Sequence, residues 1–204
     1  MSQKPAWFTA HGQPWRRGEP RVVYDNPWIQ VTEETAIAPT GRPALYGLVG
    51  FKNHALAVLP IDAEGQVVLV GQHRLPFGGY SWEIPEGGGP KSEEPLEGAR
   101  RELAEEAGLT ASGWREILRV QLSNSVTDEL AIGFLATGLA PVGETHHADD
   151  TEEFAMARAP FREVVEAACA GHIRDALTVA MVLRAYHMAK EGHLDDALAR
   201  AMLG

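Results

Sequence analysis

The sequence has a single cysteine, Cys169, so no disulfide can form within the chain. Its setting in the apolar run Val164–Ala170 reads as that of a small buried thiol, which suits a reducing compartment. Long hydrophobic runs are also missing. No stretch of about 18 apolar residues occurs, and the longest candidate, Ala176–Ala189, is interrupted by Arg184 and His187. The first residues, Met1–Arg17, carry Trp7 and Phe8 but no continuous apolar segment, which speaks against a secretory signal. Positive charge is scarce: 18 Lys and Arg stand against 28 Asp and Glu, a net charge of −10, and Arg16–Arg17 and Arg100–Arg101 are only isolated pairs. A surface of that sign repels nucleic acid and offers it no basic path. Repeats and low-complexity segments are absent. The expectation is a soluble, cytoplasmic protein that does not bind nucleic acid or membrane. An anionic substrate would need local cations, from bound metal or a few placed arginines.

What is present is ordinary globular material. A hydrophobic content of 45% is enough for a full core. β-prone runs come first: Val22–Tyr24, Trp28–Val31, Ala44–Phe51, Ala55–Ile61 and Gln66–Gln72, with Asp62-Ala63-Glu64-Gly65 as a hairpin signal between the last two. The Gly- and Pro-rich stretch Pro76–Pro90 holds a short strand at Trp82-Glu83-Ile84. A helix follows, with Ser92 as its cap, Pro95 in its first turn and Gly108 at its end. Further strands are expected at Ile117–Leu122, Leu130–Leu135 and Phe154–Arg158. Helices are expected at Phe161–Ala170, Asp175–Lys190 and Leu194–Leu203. This order predicts a mixed α/β sandwich, not a regular βαβ repeat.

The chemistry concentrates in the first helix. Leu96, Ala99, Leu103 and Ala107 form an apolar stripe, and Glu102, Glu105 and Glu106 lie beside it on an arc of roughly 100°. Carboxylates so close repel each other by a few tenths of a kcal/mol each. Arg101 relieves part of this by pairing with Glu105. Hard divalent ions such as Mg²⁺ take oxygen ligands and join carboxylates to phosphates, and a ridge of this kind beside a Gly-rich loop supplies them. An acidic helix face alone is usually only solvated. The full spacing is more specific: Gly87, five residues, Glu93, seven residues, Arg101-Glu102-Leu103, one residue, Glu105-Glu106, one residue, Gly108-Leu109. A chance match is on the order of one in a million at ordinary residue frequencies.

This segment resembles the signature box of the Nudix hydrolase family at every defined position. The resemblance implies an αβα sandwich with a mixed sheet and a loop-helix-loop at the box. It makes Glu102, Glu105 and Glu106 metal ligands, with Glu105 also a catalytic carboxylate. Arg101 and Glu93 become an ion pair holding the loop to the helix. Gly87 becomes a bend that brings the Glu86 carbonyl to the metal, Mg²⁺ or alternatively Mn²⁺. The implied reaction is attack of water on a phosphorus of a nucleoside diphosphate linked to another group.

The flanks are similar to the branch of the family that cleaves ADP-ribose and nucleotide sugars. Gly71-Gln72-His73-Arg74 and Ser81-Trp82-Glu83-Ile84-Pro85-Glu86-Gly87 carry this similarity, and it places Arg74 and Glu83 in the substrate site. It implies a general base in the acidic stretch Asp149–Glu153, with Glu152 and Glu153 as candidates and Asp150 behind them. Gly171–Thr178 also looks like the entry to the C-terminal helix of this branch. Members are commonly homodimers, which gives residues 1–43 the character of a dimerising extension before a catalytic domain at 44–204. Trp28, in a strand of that extension, is a candidate to stack on a base. Many ADP-ribose enzymes carry a proline where this chain has Ser125 or Val126. ADP-ribose is therefore the leading substrate, with GDP-mannose or another nucleotide sugar left open, and a non-catalytic nucleotide-sensing module as the rival of another class.

Overall fold

The computed structural model describes residues 4–143 and 154–204, which fall into two compact units. The first comprises Met1–Lys52 with Ser123–Asp128, and the second Asn53–Leu122 with Glu129–Gly204.

In the first unit four strands make one antiparallel sheet: β1 (Arg16–Arg17), β2 (Arg21–Asp25), β3 (Ile29–Ile37) and β4 (Pro43–Phe51). β3 pairs with β4 along its whole length, from Ile29 opposite Phe51 to Ile37 opposite Pro43, and also with β1 and β2. The unit thus takes in β4 as well as the 1–43 segment. Residues 123–128 attach to it by backbone and side-chain hydrogen bonds: Val49 N–H donates to the Val126 carbonyl at 2.9 Å, and Phe51 N–H to Asp128 Oδ1 at 2.7 Å. Trp28 is not in a strand as expected. The Asn26 side chain accepts from the N–H groups of Trp28 and Ile29 at 2.9 and 2.7 Å, closing a turn that β3 only follows.

The second unit runs β5 (Asn53–Pro60), β6 (Gln66–Arg74), β7 (Gly79–Glu83), β8 (Glu86–Pro90), α1 (Pro95–Ala107), β9 (Leu109–Gln121), β10 (Leu130–Pro141), β11 (Ala155–Pro160), α2 (Phe161–Cys169), α3 (Ala176–Lys190) and α4 (Asp196–Leu203). β8-β5-β10-β9 form a mixed sheet in which only β5 and β10 are parallel, and β11-β6-β7 form an antiparallel one. Alternation along the strands divides the core. Ala57, Leu59 and Ile61 join Val67 and Leu69 in packing with α2, α3 and α4, while Leu56, Val58 and Val68 pack with Ala99, Leu103 and Ala107 of α1. Strands between two helical layers make an αβα sandwich, the arrangement that the family resemblance implies. Leu103 is fully buried, so its truncation to alanine would cost about 2–5 kcal/mol.

The sequence signals fail locally in three places. Asp62 does close a turn, its Oδ1 accepting from Glu64 and Gln66 N–H, yet β5 and β6 enter different sheets and are linked at the turn by the Ile61–Val67 bridge and the Asp62 N–H to Gln66 carbonyl bond. Turn chemistry fixes the reversal but not which partner a buried strand chooses. Ser92 is not the α1 cap; Glu94 occupies that position without a side-chain cap, Pro95 starts the helix, and Gly108 ends it at φ 65°. Cys169 is exposed, because α2 buries Phe161, Val164, Val165 and Ala168 and leaves its last residue off that face. Among the described residues no helix is long and apolar enough to cross a membrane.

Candidate active site

The edge strand β8 and helix α1 bring the acidic ridge together with the glycine loop. Gly87 pairs with Leu56 across the sheet, and a methyl group in place of its hydrogen would overlap the Glu102 carboxylate. Gly87 has no left-handed backbone, so its lack of a side chain serves close approach to Glu102 rather than the bend expected from sequence. Glu102 is only 7% exposed, and a charge so withdrawn from water needs a partner. Arg101 provides it: its Nη1 lies 2.8 Å from Glu102 Oε1 and 2.9 Å from Glu105 Oε2, the second an i, i+4 pair. Arg101 Nη2 donates to the Gly88 carbonyl at 2.9 Å. The loop is therefore tied to the helix through a backbone oxygen, not through the expected Arg101–Glu93 pair; the Glu93 carboxylate lies instead beside Gly98 and Gly89. Glu106 Oε2 accepts from the Glu86 N–H at 2.9 Å, which holds the start of the loop over the same helix face.

Beside this ridge Arg74, at the end of β6, forks onto Glu83, at the end of β7. Arg74 Nε donates to both carboxylate oxygens at 3.2 and 3.0 Å, and Nη2 to Oε2. The β6–β7 register places Arg74 opposite Gly79 and Glu83 opposite Val70, so the two are not facing positions and their long side chains reach along the hairpin to meet. Glu83 is 3% exposed and Arg74 about a third exposed along its side chain. Burial pushes the Glu86 carboxyl well above the usual carboxylate range; Asp175 and Glu83 add to this, and Arg74 opposes it. Arg74 and Glu83 line a cavity of about 680 Å³, whose other walls include Tyr80, Phe77, His172 and Arg174. The Arg174 guanidinium donates to the Gly171 carbonyl at 3.4 Å and meets no carboxylate among the described residues.

The structure thus gathers Glu86, Gly87, Arg101, Glu102, Glu105 and Glu106 at one place, with Arg74 and Glu83 beside them. Trp28 belongs to the first unit, where it is 68% exposed. Glu152, Glu153 and Asp150 lie outside the described residues. Local sequence pattern assigns no role to Tyr80, His172, Arg174 or Thr178. The Gly171–Thr178 stretch reads only as a helix entry, and nothing in its local pattern shows that the fold returns it to the cavity.

A family model described as NUDIX domain matches residues 51–179, more than half of the chain. The chain belongs to the Nudix family. It is 34% identical over 132 residues to an ADP-ribose pyrophosphatase of Mycobacterium tuberculosis, covering 63% of each chain. It is 33% identical over 130 residues to an ADP-ribose pyrophosphatase of Bacillus subtilis, covering 64% of this chain and 70% of that one. It therefore spans under two thirds of the first of these relatives. A solved structure described as an ADP compounds hydrolase superposes with a TM-score of 0.79 over 91% of this chain and 100% of its own, at 17% identity, which shows the Nudix fold.

The Nudix loop and helix can be tested for fit to a divalent ion. Two box carboxylates already converge on one cationic nitrogen, that of Arg101, and carboxylate oxygen is a donor that suits Mg²⁺ or Mn²⁺. Among the described residues no three acidic, His or Cys side chains converge to hold a metal as they stand. Arg101 lies between two of them. The donor chemistry of the box fits such an ion.

Proposed function

We propose that this chain is a metal-dependent nucleoside-diphosphate-sugar diphosphatase acting on ADP-ribose to give AMP and ribose 5-phosphate. The observation that carries this reading is the meeting of the box carboxylates with the glycine loop beside the Arg74–Glu83 cavity. The pyrophosphatase relatives support the choice of substrate. Glu102, Glu105 and Glu106, with the carbonyl of Glu86, would hold Mg²⁺ or Mn²⁺. When bound, such an ion neutralises phosphate oxygens and makes water easier to deprotonate.

The remaining work falls to the chain's own groups. Arg101 pairs with Glu102 and Glu105 and fixes the loop through the Gly88 carbonyl. Arg74, oriented by Glu83, presents its guanidinium at the cavity wall, and Arg174 adds a second cation for the substrate's phosphates. Water adds to one phosphorus, the bond to the bridging oxygen breaks, and that oxygen leaves on the second phosphate. Glu152 or Glu153 accepts the proton of the attacking water. Trp28 stacks on the base across a homodimer built on the first unit, in the cytoplasm.

The test is incubation with nucleotide sugars and dinucleoside polyphosphates plus Mg²⁺, with products separated by chromatography. AMP and ribose 5-phosphate from ADP-ribose are expected. Cleavage of dinucleoside polyphosphates alone would sink the nucleotide-sugar reading, and preferred cleavage of GDP-mannose would move it to the alternative left open by Ser125 and Val126. Near wild-type turnover by Glu106→Gln would remove the metal assignment.

A further inference from the structure

One buried hydroxyl in the second unit is spent entirely outside its own helix. Thr178 sits in the first turn of α3 and is 0% exposed. A threonine at such a place ordinarily bonds its own helix backbone or a nearby cap. Here that role is already filled: the helix cap Asp175 accepts from Thr178 N–H through Oδ2 at 2.6 Å. The Thr178 hydroxyl instead accepts from Ile84 N–H at 3.1 Å and lies 3.4 Å from Glu86 Oε1, to which it donates.

These two bonds bracket Pro85, in the short stretch between β7 and β8 that belongs to neither strand. Pro85 has no N–H of its own, and its carbonyl accepts from Val58 N–H at 2.8 Å. Glu86 N–H is taken by Glu106. The backbone of Ile84–Glu86 is therefore held at three points, by β5, by α1 and by α3. The hold from α3 is a single hydroxyl, more than 90 residues away in sequence. Valine would fill the same volume and strand the Ile84 N–H in the core, where an unmet donor is costly.

We propose that Thr178 is a positioning residue for the Nudix loop: its hydroxyl fixes where Glu86 presents its carbonyl oxygen to a divalent ion. This rests on the metal-dependent reading above, and it assigns a role to α3, which lies outside the box. Ligand-orienting groups of this kind commonly set metal affinity by 10–100-fold, about 10-fold being expected here.

The experiment uses the full chain and four proteins: wild type, Thr178→Val, Thr178→Ala and Thr178→Ser. Mn²⁺ binding without substrate is followed by electron paramagnetic resonance, alongside Mg²⁺ half-saturation of turnover, KM for ADP-ribose at saturating metal, and thermal midpoint. Thr178→Val and Thr178→Ala are expected to weaken Mn²⁺ binding and raise the Mg²⁺ requirement about 10-fold, with KM moved less than about twofold. Thr178→Ser, which loses the methyl as alanine does but keeps the hydroxyl, is expected to bind Mn²⁺ like the wild type. If Thr178→Val does not fold, the Ala–Ser pair still isolates the hydroxyl. Unchanged Mn²⁺ affinity in Val and Ala, even with a lower thermal midpoint, would overturn the proposal, as would a Ser variant as weak as Ala. A wild type that binds no Mn²⁺ would instead overturn the metal reading itself, and this inference with it.

Discussion

Gly87 and Glu102 stand so close that the glycine has no room for a Cβ: the first atom of any side chain there would fall within the Glu102 carboxylate. A β-strand residue and a helix residue are thus matched to within a methyl group. The strand cannot withdraw, because Gly87 is registered against Leu56 of β5. The helix cannot withdraw either, because Ala99 and Leu103 are locked in the core beneath it.

Replacing Gly87 by alanine therefore displaces Glu102 while leaving both elements in place. A shift of roughly 1 Å in a group that orders the reacting centre costs about 10²-fold in rate. The expected result is a loss of turnover of that order with far-ultraviolet circular dichroism unchanged. Turnover within a few-fold of wild type would show that the position of the Glu102 carboxylate is not critical.

The Arg74–Glu83 fork separates stability from binding. Arg74→Met leaves Glu83 buried at 3% exposure without its cation, and breaking such a pair on one side costs about 3–5 kcal/mol. Adding Glu83→Gln removes the stranded charge, so the double variant is expected to regain most of the lost thermal stability. It does not regain the guanidinium at the cavity wall, so KM for ADP-ribose stays raised. A double variant no more stable than Arg74→Met would count against the pair as the source of the loss.

The parts of this site legible in the sequence are those written in local spacing. The carboxylate arc, the Pro95 start and the Gly108 end of α1 all follow from a 3.6-residue period and from the conformations that proline and glycine favour. Most strands are legible from β-prone runs, but β8 (Glu86–Pro90) lies in the stretch that reads as Gly- and Pro-rich loop. What was not legible depends on pairing at long range. Asp62 and Gly65 announce a turn, but nothing near them says that β5 and β6 part into different sheets. The Arg101–Glu105 pair is legible as i, i+4 neighbours, but the tie from Arg101 to the loop runs to the Gly88 carbonyl and not to Glu93. Thr178 and Arg174 reach the site only because α3 packs on the second unit's core.

Glu34 of β3 gives a pH dependence with a definite sign. Arg17 donates to both its oxygens at 2.6 and 2.7 Å, and these bonds hold the Glu34 carboxyl below its ordinary value of 4.5. A depressed carboxyl contributes stability that is present above the ordinary value and lost as pH falls through the lowered one. Glu34→Gln is therefore expected to be less stable than wild type near pH 7, with the difference closing in stronger acid. Urea midpoints measured across that range check it; a constant difference at every pH would mean that the effect is steric.

The last prediction concerns the first unit. All five residues of β2 are exposed, among them Val22, Val23 and Tyr24 in sequence. Successive side chains of a strand point to opposite faces, so β2 offers apolar groups to water on both. Trp7, Trp15 and Trp28 of the same unit are exposed as well. So much uncovered apolar surface is characteristic of a protein interface, and a second copy of the chain is the occupant the proposed function calls for. Light scattering is expected to give twice the 22.1 kDa chain mass. Charging both faces with Val22→Lys and Val23→Lys is expected to shift the protein toward the single chain without lowering the thermal midpoint of the second unit. If Trp28 serves the partner's site, the same variant also raises KM for ADP-ribose, and dilution raises it in the wild type. A wild type that scatters as a single chain at its highest soluble concentration would leave β2 without this partner and Trp28 without this role.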